Sequence, residues 1–148
     1  MNFKIIISAI TLVLTVSVLS SCMLFEASWR AREKEYYETD ENYIVLTATV
    51  IAEPRFFKED DYYLLNVEFD DKETVQYERC VEINKANGDV LERNGYFKEI
   101  SEGDKIQITL APEIFGDGYI IPAVGIRTEE KVYLDFKTGK SNLMATYR

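Results

Sequence analysis

From Tyr43 to Lys137 the chain runs in short apolar stretches rich in Val, Ile, Thr, Tyr and Phe, several of them alternating apolar and polar residues with a period of two, separated by turn-forming residues roughly ten apart. A pattern of this kind is compatible with short, half-buried strands and with little else, because successive side chains of a strand point to opposite faces. Residues Tyr62 to Phe69 show it most cleanly: Tyr63, Leu65, Val67 and Phe69 form one set, and Tyr62, Leu64, Asn66 and Glu68 the other. Lys105 to Leu110 repeats it through Ile106, Ile108 and Leu110. Val75 to Ile83 does so through Val75, Tyr77, Val81 and Ile83, with Cys80 on the outward set.

The remaining segments are less regular. A first strand is expected from Tyr43 to Ala52, buried on both sides and stopped by Glu53 and Pro54, since proline offers no donor to a ladder. A fifth covers Tyr119 to Ile126, where Pro122 and Gly125 imply an edge, a bulge or a corner. A sixth, Lys131 to Lys137, turns Val132, Leu134 and Phe136 inward and closes at Thr138 and Gly139. Between the third and fourth strands, residues 84–103 hold two Asn-Gly pairs, Asn87-Gly88 and Asn94-Gly95, which favour left-handed backbone; a short helical turn over Asp89 to Arg93 is expected to end at the second. This order, five or six strands with an insert after the third, resembles the OB-fold, a small Greek-key barrel. The expected fold class is therefore all-β: a small five- to six-stranded OB-like barrel preceded by a short N-terminal helix. Another small barrel or a β-sandwich would satisfy the same pattern.

Ahead of this domain, Lys4 is followed by an apolar stretch from Ile5 to Leu19 that carries no charge. That is the layout of a secretory signal, and it is shorter than the roughly twenty residues a membrane-spanning helix needs. It ends in Leu19, Ser20, Ser21 and Cys22, a run that resembles the bacterial lipobox. The resemblance implies cleavage before Cys22, lipid attachment to its thiol, and display on the outer face of the cytoplasmic membrane, or on the outer membrane in a Gram-negative host. Met23 lacks the aspartate that retains some lipoproteins at the inner membrane. The expected organisation is a signal peptide over 1–21, a charged helical spacer over 22–41, a β-barrel domain over 42–140 and a partly ordered tail over 141–148. Within the spacer, Trp29 suits either a headgroup layer or packing on the domain.

Composition narrows the chemistry. Once Lys4 is removed with the signal, 16 basic residues stand against 26 acidic ones, a net charge of −10. Nucleic acid is excluded as a partner on that ground, because a phosphate backbone is held by a basic stripe. The chain has no histidine, which removes Ser-His-Asp and Cys-His nucleophiles and the commonest zinc sites. With Cys22 lipidated, Cys80 is the one thiol left, read as buried and inert, and no cofactor is expected. Asp60 with Asp61 and Asp70 with Asp71 could serve as a glycosidase pair or, with Asp117, as calcium ligands, but they fall at strand ends where Asp is a turn residue.

Aromatic residues are more informative, the tyrosines among them carrying a polar tip on an apolar ring. Phe56 and Phe57 follow the first strand, Tyr62 and Tyr133 occupy positions opposite the expected core, and Phe115 and Tyr119 flank Asp117. Flat amphipathic rings suit sugars and protein partners. These seven residues form the candidate binding surface. The expected function is a non-catalytic, membrane-anchored module that binds an envelope protein or glycan. In its lipobox, charged spacer and stretch from Gly103 to Ile126 the chain resembles the small uncharacterised lipoproteins of Gram-positive gut bacteria. Two further readings stay open: a glycan-active enzyme working through carboxylates alone, and a structural subunit of an envelope complex.

Overall fold

The computed structural model of the chain describes residues 28–59, 61–71, 80–113, 115 and 120–147. The chain divides into two compact units, Met1–Glu35 and Tyr36–Arg148. The second begins at Tyr36 rather than at residue 42, because Tyr37, near the end of helical residues 28–38 (α1), is buried with Ala111, Val124 and Leu143. Its elements are β1 (Ile44–Phe57), β2 (Tyr62–Phe69), β3 (Cys80–Asn84), α2 (Lys85–Arg93), α3 (Tyr96–Glu99), β4 (Lys105–Leu110), β5 (Ile120–Arg127), β6 (Val132–Leu134) and α4 (Phe136–Met144). The 3-10 turns Asp40–Asn42 and Ala145–Tyr147 flank them.

The strands form one sheet in the order β3-β2-β1-β4-β5-β6, antiparallel except where β3 also pairs with β5 in parallel, Val81 opposite Ile121. That extra pairing closes a circuit through β1, β2, β3, β5 and β4. β1, β2 and β4 each bury mainly one face, whereas β5 buries Ala123, Val124 and Ile126 almost in succession, Val124 on the side of α4. In β1, Leu46, Ala48 and Val50 are buried while Val45 and Ile51 are half-exposed, which corrects the expected burial on both sides. β2 and β4 keep their expected bounds and inward sets: Leu65, Phe69, Ile106, Ile108 and Leu110 lie in the main core. Of the third strand, residues 75–79 lie outside the described residues, as does the side chain of Cys80; Val81 and Ile83 are fully buried.

β1 runs on through Pro54, where a stop is expected. Its first half pairs with β4 up to Thr49, and from Ala48 onward it pairs with β2. Past Val50 one neighbour suffices, so a residue without an N–H costs no ladder bond on the open side. The register breaks between Val50 and Ala52 and again between Ala52 and Arg55 bend the strand from one part of the circuit into the other.

The helical content exceeds one N-terminal helix. The 84–103 insert holds α2, capped by the Asn84 side chain, which accepts from the Asn87 N–H at 2.9 Å. It ends as expected at Asn94-Gly95, with Gly95 at φ +86°. Asn87-Gly88 is not a turn but lies inside α2, where a Cβ on Gly88 would come within 2.3 Å of the Tyr63 ring. At the other end, β6 stops at Leu134 because Asp135 caps α4, accepting from the Thr138 N–H at 3.0 Å. The sixth strand is thus shorter than residues 131–137, and where a partly ordered tail is expected residues 141–147 are helical, in α4 and the 3-10 turn that follows it. α4 rests on β5 through Gly139, which lies against the Val124 backbone at a register break.

Candidate binding surface

The β1–β2 hairpin sets Phe57 opposite Tyr62, Phe56 opposite Tyr63 and Arg55 opposite Leu64. Its turn is closed by Asp61, which adopts a left-handed φ of 61° and donates its N–H to the Phe57 carbonyl at 2.9 Å. Alternation sorts the rings onto two faces. Tyr63 points with the core set and is stacked between Phe56, at 4.6 Å between centroids, and Phe97 of α3, at 5.3 Å. That stack, seated on Gly88, pins the hairpin to the helical insert.

The opposite face carries Phe57 and Tyr62 in parallel contact, 5.2 Å between centroids and 16° between planes, with the Arg55 guanidinium 4.7 Å above the Phe57 ring. Phe57 and Tyr62 are half-buried and Arg55 is exposed. Cation, ring and ring therefore form a continuous flat strip along the hairpin. A cation over an aromatic face contributes roughly 0.5–1 kcal/mol at an exposed site, enough to favour one rotamer of the arginine.

No family model, curated protein or solved structure matches the chain. Its chemistry is therefore read from these residues themselves.

Of the seven expected surface residues, Phe56, Phe57 and Tyr62 come together on the hairpin, although Phe56 belongs to the inward stack and is still 42% exposed. Phe115 stands elsewhere, half-buried against Tyr36 and Tyr37 at 5.2 and 5.8 Å. Asp117 and Tyr119, like Cys22, lie outside the described residues. Tyr133 is a correction: it is buried, because the register shifts between Ile126 and Arg127 and turns Val132 outward in its place. Its hydroxyl donates to Glu99 at 2.9 Å and its carbonyl accepts from the Asn94 side chain at 2.7 Å. Arg55 was concealed by the expected strand end at Pro54; the spacing Arg55-x-Phe57 is the signal that places both on one face once the strand continues.

Of the acidic candidates, Asp60 and Asp117 lie outside the described residues. Asp61 serves the hairpin turn, and Asp70 accepts from Lys105 at 2.7 Å. Among the described residues no group of three or more Cys, Asp or Glu is arranged to hold a metal ion, and no helix is long and apolar enough to cross a membrane.

Two carboxylates are held low, Asp135 by its cap on α4 and Glu99 by its neighbours. Hydrogen bonds from Lys131, at 2.8 Å, and from Tyr133 hold Glu99 below its ordinary value of 4.5. A depressed folded-state pKa stabilises above the unfolded value and ceases to do so as the pH falls through the folded one. The stability difference between the native chain and Glu99→Gln is accordingly expected in full above pH 4.5 and to vanish on further acidification; denaturant titrations at several pH values would show it. A difference that grows in acid would exclude this assignment.

Proposed function

We propose that the chain is a lipid-anchored extracytoplasmic binding module, in which an OB-like barrel presents the Arg55, Phe57 and Tyr62 strip to an envelope glycan or protein. Support for the barrel comes from the closed pairing circuit and from the helical insert between β3 and β4, the element order of the OB-fold. OB-folds take their ligands on the face of strands two and three and on the adjoining loops, and they favour oligonucleotides and oligosaccharides. An excess of acidic over basic residues disfavours the former. Support for the anchor is the sequence Leu19-Ser20-Ser21-Cys22 behind an uncharged apolar stretch.

The observation that carries the reading is the strip itself: stacked rings topped by a guanidinium, on the hairpin face turned away from the core. Sugar rings and peptide side chains lie flat on such a surface, and the adjacent guanidinium donates to hydroxyl, carboxylate or phosphate oxygens.

The test uses retention of the chain on purified insoluble cell-wall glycan and on whole envelopes. Phe57→Ala and Tyr62→Ala are each expected to weaken binding about tenfold, the loss of one stacked ring. In the same cells Cys22→Ala is expected to lose acylation and leave the membrane fraction. Ring variants that bind like the native chain would exclude the strip, and an unmodified Cys22 would exclude the anchor.

A further inference from the structure

Four large apolar side chains are exposed among the described residues, and two of them, Val45 at 52% and Val132 at 53%, stand on one groove far along β1 from the hairpin strip. Strand pairing builds the floor: Val45 is opposite Thr109, and Thr109 is opposite Gly125, so a single row crosses β1, β4 and β5. At the third position Gly125 carries no side chain, and the Thr109 side chain lies over it: a Cβ there would meet the Thr109 hydroxyl at 2.7 Å. Tyr43 and Phe136, edge to face at 5.1 Å, close the groove beside α4, and Val132 with Arg127 closes it beside β6. The groove is open to solvent along its length, with a volume of about 410 Å³.

Its charges are laid out in sequence. On the α4 side lie Asp40 and Asp135. Asp40 pairs with Lys140, while Asp135 is exposed and caps α4, its carboxyl held below the ordinary range by hydrogen bonds from the Thr138 side chain and N–H. On the β6 side the Arg127 guanidinium donates through Nε to Gln107 at 2.7 Å. An apolar floor thus runs between a carboxylate and a guanidinium. A folded surface would bridge such a groove, whereas an extended chain places alternate side chains into it.

We propose that this groove binds an extended segment of a protein partner, with an apolar side chain packed against Val45 and Val132 between a Lys or Arg facing Asp135 and an acidic residue facing Arg127. The occupant is chosen by charge complementarity: each end of the groove meets its opposite, and the net charge of −9 on the chain adds a general preference for a basic partner. The groove is separate from the hairpin strip, so the proposal stands independently of what that strip binds.

The experiment places a photo-crosslinking p-benzoylphenylalanine at position 132 of the full chain in its native host cells. Matched positions are 45, also on the groove, and 51, equally exposed but away from it. Positions 132 and 45 are expected to give the same protein adduct. Peptide mapping should locate it in a segment with an apolar residue flanked by a basic one, and position 51 should not yield it. Adding Arg127→Glu with Asp135→Asn, the latter keeping a side chain able to cap α4, should reduce the adduct at least fivefold while thermal unfolding stays that of the parent. No adduct from either groove position, the same adduct from position 51, crosslinks to glycan, lipid or a second copy of the chain, or a yield indifferent to the charge changes would overturn the proposal.

Discussion

Gly139→Ala is expected to lower the stability of the chain by about 2–3 kcal/mol, an overpacking cost, at a helical site where alanine ordinarily improves on glycine by about 1 kcal/mol. The reversal of sign comes from what the new methyl meets. A Cβ on Gly139 would lie 1.9 Å from the Val124 carbonyl oxygen and 2.6 Å from its carbonyl carbon. Neither belongs to a side chain that can swing aside. Val124 is the extra residue at a register break, since Leu110 faces Ala123 and Thr109 faces Gly125. The bulge pushes its backbone toward α4, and only a residue without a side chain can receive it. Urea unfolding of the two proteins decides the matter; an unchanged or raised midpoint would mean that α4 does not lie this close to β5.

Asn87→Leu is the second substitution of this size, with an expected loss of about 2–3 kcal/mol from partners left without hydrogen bonds. Asn87 is, among the described residues, the one polar side chain in the buried set, at 1% exposure. Its Nδ2 donates to the Gly139 carbonyl at 3.1 Å, and its Oδ1 accepts from the Asn142 side chain at 2.8 Å. α2 is thereby joined to α4 across more than fifty residues of chain. Leucine matches the volume but strands the Asn142 amide. Truncating that amide too, in Asn87→Leu with Asn142→Ala, should recover part of the loss, because the group that would be left unsatisfied is gone. Strict additivity in the double variant would count against the network.

What could be read in the sequence, and what could not, follows from these same contacts. β2 and β4 were legible to the residue, since their alternation reports one buried face and no third element interferes. α2 and α4 were obscured by their glycines. Gly88 and Gly139 resemble turn residues when only neighbours in sequence are considered, but each is required by a partner distant in the chain, the Tyr63 ring in one case and the Val124 backbone in the other. β1 was cut short for a related reason: Pro54 ends a strand paired on both sides, and nothing local says that β4 has already left at Thr49. The hairpin strip was half-visible. Outward parity found Tyr62, and position after the strand found Phe57, but Arg55 needed the strand to continue and Tyr133 needed a register that only the β5–β6 pairing sets.

The pairing of β3 with both β2 and β5 bears on how densely such domains can be crowded. It leaves, as the longest strand edge without a neighbour among the described residues, the stretch of β1 past Val50. Open edges are where one chain recruits another into a shared sheet. Here that edge is interrupted twice by irregular register and once by Pro54, which has no N–H to offer, while β6, at the end of the sheet, is three residues long. Copies packed side by side therefore find little backbone to copy, and the fold resists strand exchange at high concentration.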